Sequence, residues 1–172
     1  PRNPALSSSW PTLRARLAIS DRYRIFPSKV SRDGGETLKA TEHGGATLKY
    51  LTVEPDDYRP ELQYPLVVLL HGFGSHMSDL ASLAPAINRT GYVYAFPNAP
   101  IRMEMGFGAE GYAWTSLSEK DRGPLAAQAE EKLSVFFEEV FSLFSIDPGR
   151  VVLGGFSQGG MMTYQIGLGS PH

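Results

Sequence analysis

Ser157 stands in Gly155-Phe156-Ser157-Gln158-Gly159, a G-x-S-x-G pattern that follows the apolar run Val151-Val152-Leu153. A serine on a sharp strand-to-helix turn directs its hydroxyl out of the sheet, where it can attack a carbonyl carbon. Such a turn closes only if the residues two positions to either side are small, and Gly155 and Gly159 meet that need. The plainer alternative is a glycine-rich turn whose serine merely caps the following helix. A phosphate-binding loop is disfavoured, because the chain has no G-x-x-x-x-G-K-[ST] and Gly155-Phe156-Ser157-Gln158-Gly159-Gly160 is not G-x-G-x-x-G.

Attack on an ester carbonyl creates an oxyanion, so N–H donors must already face it. The backbone N–H of Gln158 follows the serine and opens a helix, where N–H groups lack partners and the helix dipole favours negative charge. The second donor is assigned to Phe73, in the His71-Gly72-Phe73-Gly74 loop after an earlier apolar run, with Gly72 allowing close backbone approach.

These loops need elements to hold them. Residues 66–70 are continuously apolar between Pro65 and Gly72, as in a strand buried on both faces of a parallel sheet. Residues 47–53 alternate and precede a turn at residues 54–57, and residues 92–96 form a further strand. Between the last two apolar strands, Ser78 or Asp79 caps a helix running to about residue 88, giving a strand–helix–strand unit. Pro124 opens a second helix with Ala129, Leu133, Phe136, Phe137, Val140 and Phe144 on one face and glutamates opposite. Asp147 starts a turn into Val151-Val152-Leu153, and a helix over about residues 158–168 follows. Residues 97–123 read as one long loop whose Met103, Met105, Phe107, Tyr112 and Trp114 either pack onto the domain or border a pocket. Residues 1–45 read as an irregular extension, and residues 46–172 as a partial α/β domain.

Several segments together resemble the phospholipase/carboxylesterase family of α/β-hydrolases, which includes lysophospholipase-like carboxylesterases and acyl-protein thioesterases. They are Leu70-His71-Gly72-Phe73-Gly74 with Asp79-Leu80, Phe96-Pro97-Asn98-Ala99-Pro100, Ala113-Trp114, and Ile146-Asp147-Pro148 leading to the serine motif. The resemblance implies the N-terminal portion of an α/β-hydrolase fold, a mostly parallel sheet with helices on both faces. It implies a Ser-Asp-His triad that cleaves carboxylic esters or thioesters without cofactor or metal, and a substrate site bordered by Trp114 and Gly72. The acid and base of such a triad follow the serine in chain order, yet only 15 residues follow Ser157, so both are expected to be missing from this chain. The competing reading is an inactive acyl-binding or protein-binding module of the same ancestry.

Composition narrows the classes further. Among 172 residues, 16 basic and 18 acidic side chains give a net charge of −2 without a basic cluster, which argues against a nucleic-acid partner. The absence of cysteine removes thiol nucleophiles and thiolate metal sites. No apolar run is long enough to span a bilayer, and a cytoplasmic location is expected, with any leader upstream of Pro1 outside the sequence. Of the histidines, His71 is expected to make structural hydrogen bonds, His43 and His76 to lie in exposed loops, and His172 to be terminal.

Overall fold

The computed structural model describes residues 23–24 and 38–169. In chain order its elements are β1 (Tyr23–Arg24), β2 (Leu38–Gly44), β3 (Lys49–Pro55), β4 (Tyr64–Leu70), α1 (Met77–Ala81), α2 (Ala84–Ile87) and β5 (Val93–Pro97). They continue with β6 (Ile101–Glu104), β7 (Glu110–Ala113), α3 (Glu119–Leu143), β8 (Ile146–Gly155) and α4 (Gln158–Gly169). Six strands form one sheet in the order β1-β2-β3-β5-β4-β8, and β6 pairs with β7 in a separate hairpin.

The sheet is mixed. Strands β5, β4 and β8 run parallel, in the part that leads to the serine, whereas β1, β2 and β3 join as antiparallel neighbours. Successive side chains of a strand point to opposite faces, and β4 uses both. Leu66, Val68 and Leu70 pack with Ala129, Leu133 and Phe136 of α3 and Met162 and Ile166 of α4. Val67 packs with Leu38, Val53, Tyr94 and Phe96 and with Ala84 of α2 on the other side. Helices therefore cover both faces, as an α/β-hydrolase fold requires.

Several sequence expectations change. Residues 38–44 are not irregular: they form β2, in register with β3 from Leu38↔Pro55 to Gly44↔Lys49. His43 is accordingly buried rather than in an exposed loop, with Nε2 at 2.7 Å from Thr52 Oγ1 and its ring stacked on Tyr50. The rest of the expected extension, residues 1–22 and 25–37, and His172 lie outside the described residues. The helix expected over residues 78–88 is two short ones. Pro85 has no N–H to give the carbonyl of Ala81, so the helix breaks there, and Leu83 caps α2. Ser78 and Asp79 lie inside α1, whose N-cap is His76.

The expected long loop over residues 97–123 contains the β6–β7 hairpin, registered from Ile101↔Ala113 to Glu104↔Glu110. Helix α3 also starts before Pro124, at Glu119. Proline at that position leaves the carbonyl of Lys120 without its helical partner, a loss tolerated at an exposed residue in the first turn of the helix. The buried face of α3 is as expected: Ala129, Leu133, Phe136, Phe137 and Val140 are all buried.

Candidate active site

Ser157 sits between β8 and α4 with φ +53, in the left-handed region that disfavours residues with a Cβ. It is exposed. Its neighbours show why the turn admits only glycine. A Cβ on Gly155 would meet the carbonyl carbon and oxygen of Gly159 at 2.5 Å, and one on Gly159 would meet the carbonyl oxygen of Leu70 at 2.1 Å. Both contacts are with backbone, which cannot step aside, so the two glycines are steric requirements of the elbow.

The His71–Gly74 loop lies directly against this turn. A Cβ on Gly72 would be 3.5 Å from Ser157 Cβ and 3.1 Å from Phe156 Cδ1, so the two sequence motifs meet in space. Neither the N–H of Phe73 nor that of Gln158 takes part in a turn or loop hydrogen bond. Each is a donor with capacity to spare, on one of the two loops that meet at Ser157.

The loops are held by a buried polar network. His71 is buried; its Nδ1 lies 2.7 Å from the Gly72 carbonyl, and its Nε2 accepts the N–H of Ala99 at 3.0 Å. Burial holds its pKa below the ordinary histidine value, ahead of the opposing bond to Gly72 and the charge of Asp79. The Trp114 indole N–H donates to the His71 carbonyl at 2.8 Å, and the Trp114 backbone N–H donates to Gln158 Oε1 at 2.7 Å. Gln158 Nε2 then donates to the Thr115 carbonyl at 2.9 Å. One segment, residues 114–115, thus ties the oxyanion-loop candidate to the serine turn.

Trp114 has no exposed surface and belongs to the main core cluster. It supports both loops from below instead of presenting an open wall, so its place differs from the expected border of a substrate pocket. Phe73, by contrast, exposes its side chain. Asp147 makes the turn expected of it: Oδ1 accepts the N–H of Gly149 at 2.9 Å, and Oδ2 accepts Arg150 Nε at 2.6 Å. Those bonds hold its carboxyl below the usual range. His76 pairs with Asp79 at 3.4 Å. Among the described residues no histidine is hydrogen-bonded to Ser157, and no group of three or more histidines and carboxylates is arranged to hold a metal ion.

Two features escaped the sequence. The Gln158 side chain was valued only for its backbone, because the partner that gives it a role lies 44 residues back in the chain. The β6–β7 hairpin abuts the site: Gly74 N–H donates to the Tyr112 carbonyl at 2.9 Å, and Tyr112 N–H donates to Ser75 at 2.8 Å. Its signal was present in Gly106-Phe107-Gly108, a turn sequence whose three residues all have positive φ.

Proteins similar to this chain include esterases and an acyl-protein thioesterase. A family model described as phospholipase/carboxylesterase covers residues 56–172. Acyl-protein thioesterase 1 of Emericella nidulans is 30% identical over 118 aligned positions, covering 59% of this chain and 49% of that protein. The solved structure of esterase PE8 is 31% identical with a TM-score of 0.58, covering 73% of this chain and 60% of that one. An S-formylglutathione hydrolase from Agrobacterium tumefaciens, 16% identical with a TM-score of 0.54 and covering 83% and 57%, shares the fold. The chain spans about half the length of the curated relative it matches. No described helix is long and apolar enough to cross a membrane.

Proposed function

Because the chain belongs to the phospholipase/carboxylesterase family, we propose that it carries the nucleophile and oxyanion donors of a serine hydrolase cleaving carboxylic ester or thioester bonds. In this reading the Ser157 oxygen bonds to the substrate carbonyl carbon, and the carbonyl electron pair moves onto oxygen. Collapse of that intermediate expels the alcohol or thiol and leaves an acyl group on Ser157, which water then removes. The N–H groups of Phe73 and Gln158 receive the transient oxyanion, with the N-terminus of the 12-residue helix α4 adding favourable potential. Gly72 leaves room for the substrate carbonyl beside Ser157.

The observation that carries the reading is the left-handed, exposed Ser157 against Gly72. A merely capping serine has no need of that strained backbone. The base that takes the hydroxyl proton is assigned to a residue outside those described, since both ring nitrogens of His71 are already occupied. A small-molecule ester or thioester is the expected partner.

The direct test is the protein containing the whole family domain assayed with p-nitrophenyl acetate. Ser157→Ala is expected to abolish turnover and to block covalent labelling by a fluorophosphonate. An alanine variant that keeps most of its rate would overturn the assignment.

A further inference from the structure

A cavity of about 430 Å³ opens beside the site, lined in part by Lys49, Asn98, Ala99, Arg102, Glu110 and Tyr112. It shares a wall with the serine region, because the Ala99 N–H bonds to His71 and the Tyr112 backbone bonds to Gly74 and Ser75. Its polar groups are unevenly committed. Glu110 is engaged on both oxygens, by Arg102 and, at 3.4 Å, by the Tyr112 hydroxyl. Arg102 and Glu110 therefore cancel. Lys49 is left in no ion pair among the described residues, so the lining side chains sum to one positive charge, against which Glu42 acts on Tyr112 from outside the lining.

Asn98 supplies a directional donor. It is buried, and its Oδ1 accepts the Met77 N–H at 2.6 Å, which fixes the orientation of the amide. That leaves Nδ2 without a hydrogen-bond partner among the described residues. Nδ2 keeps contact with solvent, and Asn98 lines the cavity, so this donor is free to bond a group bound there. A cation and an unused amide donor in one cavity suit a compact oxyanion, whose charge-assisted bonds are stronger than neutral ones.

We propose that this cavity binds a single carboxylate or phosphate group carried by the substrate. Asn98 follows β5 and Ser157 follows β8, two strands apart in the order β5-β4-β8. Adjacent strands are spaced about 4.8 Å apart, so Asn98 lies roughly 10 Å from Ser157, with Lys49 on β3 one strand further out. Anion binding stands on the cavity alone, while its assignment to the substrate rests on the serine-hydrolase reading above.

Calorimetric titration of the 172-residue chain with inorganic phosphate and, separately, with acetate at constant ionic strength tests the site. One of the two anions is expected to bind saturably, and which one identifies the group. Lys49→Gln, at an exposed position that does not threaten the fold, should weaken binding by about tenfold or more, the equivalent of one charge-assisted hydrogen bond. Asn98→Asp, which keeps an acceptor for Met77 but adds negative charge, should abolish it, whereas Ser157→Ala should leave it unchanged. Absence of saturable binding by either anion, or equal binding by Lys49→Gln, overturns the site. Anion binding by this chain, with no fluorophosphonate labelling of Ser157 in the protein containing the whole family domain, overturns only the assignment to a substrate.

Discussion

The Ala99 N–H donates to Nε2 of His71 at 3.0 Å, and this bond fixes the protonation of the ring. A backbone N–H can only donate, so Nε2 carries a lone pair and the proton lies on Nδ1. Nδ1 in turn donates to the Gly72 carbonyl at 2.7 Å, an acceptor only. His71 is thus a neutral, doubly occupied spacer that sets the height of the Gly72–Phe73 peptide. Nitrogen-detected NMR at pH 7 is expected to show a protonated Nδ1 and an unprotonated Nε2. A proton on Nε2 would contradict this arrangement.

Stability should fall in acid, and His43 is the main reason. Burial, helped by Lys39, lowers its pKa from 6.5 to about 4. Between those values the unfolded chain binds a proton that the folded chain refuses, so the contribution is full above pH 6.5 and lost as pH falls toward 4. Its size is at most about 3.5 kcal/mol at ~1.4 kcal/mol per pH unit. His71, also lowered, pulls in the same direction. Urea midpoints measured at pH 7 and 4.5 should differ, and His43→Phe, which preserves a ring to stack on Tyr50, should flatten the difference. A variant as acid-sensitive as the parent would assign the effect elsewhere.

The backbone of Ser157 makes a stability prediction independent of its chemistry. A residue with a Cβ held at φ +53 costs on the order of 1–3 kcal/mol. Glycine adopts that conformation freely, although it gains entropy in the unfolded chain. Ser157→Gly is therefore expected to be more stable than Ser157→Ala by about 1 kcal/mol. Denaturant midpoints would decide it, and an alanine variant equal to or above the glycine variant would show that no strain is stored at the elbow.

What the sequence disclosed followed from how local the constraint was. Gly155, Gly159 and Gly72 are dictated by contacts within two adjoining turns, and they were readable as motifs. Strand β4 was readable because both its faces are buried. Strand β2 was hidden because its buried positions include Thr41 and His43, and Lys39 faces Glu54 across the strand pair at 2.7 Å, so its polar residues find partners only after β3 arrives. The joint of residues 114–115 with Gln158 depends wholly on tertiary contact, and no local pattern announces it.

That joint should be costly to remove. Gln158→Ala leaves the Trp114 N–H and the Thr115 carbonyl buried without their partner, at about 1–3 kcal/mol for each group. The loss should exceed that of Gln165→Ala on the exposed face of the same helix, where the side chain meets Glu130 at 3.2 Å. Chemical denaturation of the two variants side by side makes the comparison. Equal losses would mean that water or a neighbour replaces the glutamine.

The outer edge of the described sheet predicts how this chain behaves in solution. Strand β8 pairs with β4 on one side only and stands at the end of the strand order. Val152 on that strand is exposed, as are Phe156 in the serine turn and Met161, Tyr164 and Leu168 on α4. An unpaired strand edge offers a row of backbone donors and acceptors, and adjoining apolar side chains make pairing with another chain favourable. The 172-residue chain should therefore self-associate in a concentration-dependent way, eluting ahead of an 18.8 kDa monomer in size exclusion with light scattering. Val152→Lys places a charge on the edge where an incoming strand would have to bury it, and should shift the population toward monomer without loss of secondary structure. A monodisperse monomer across the accessible concentration range would mean that this edge is already covered.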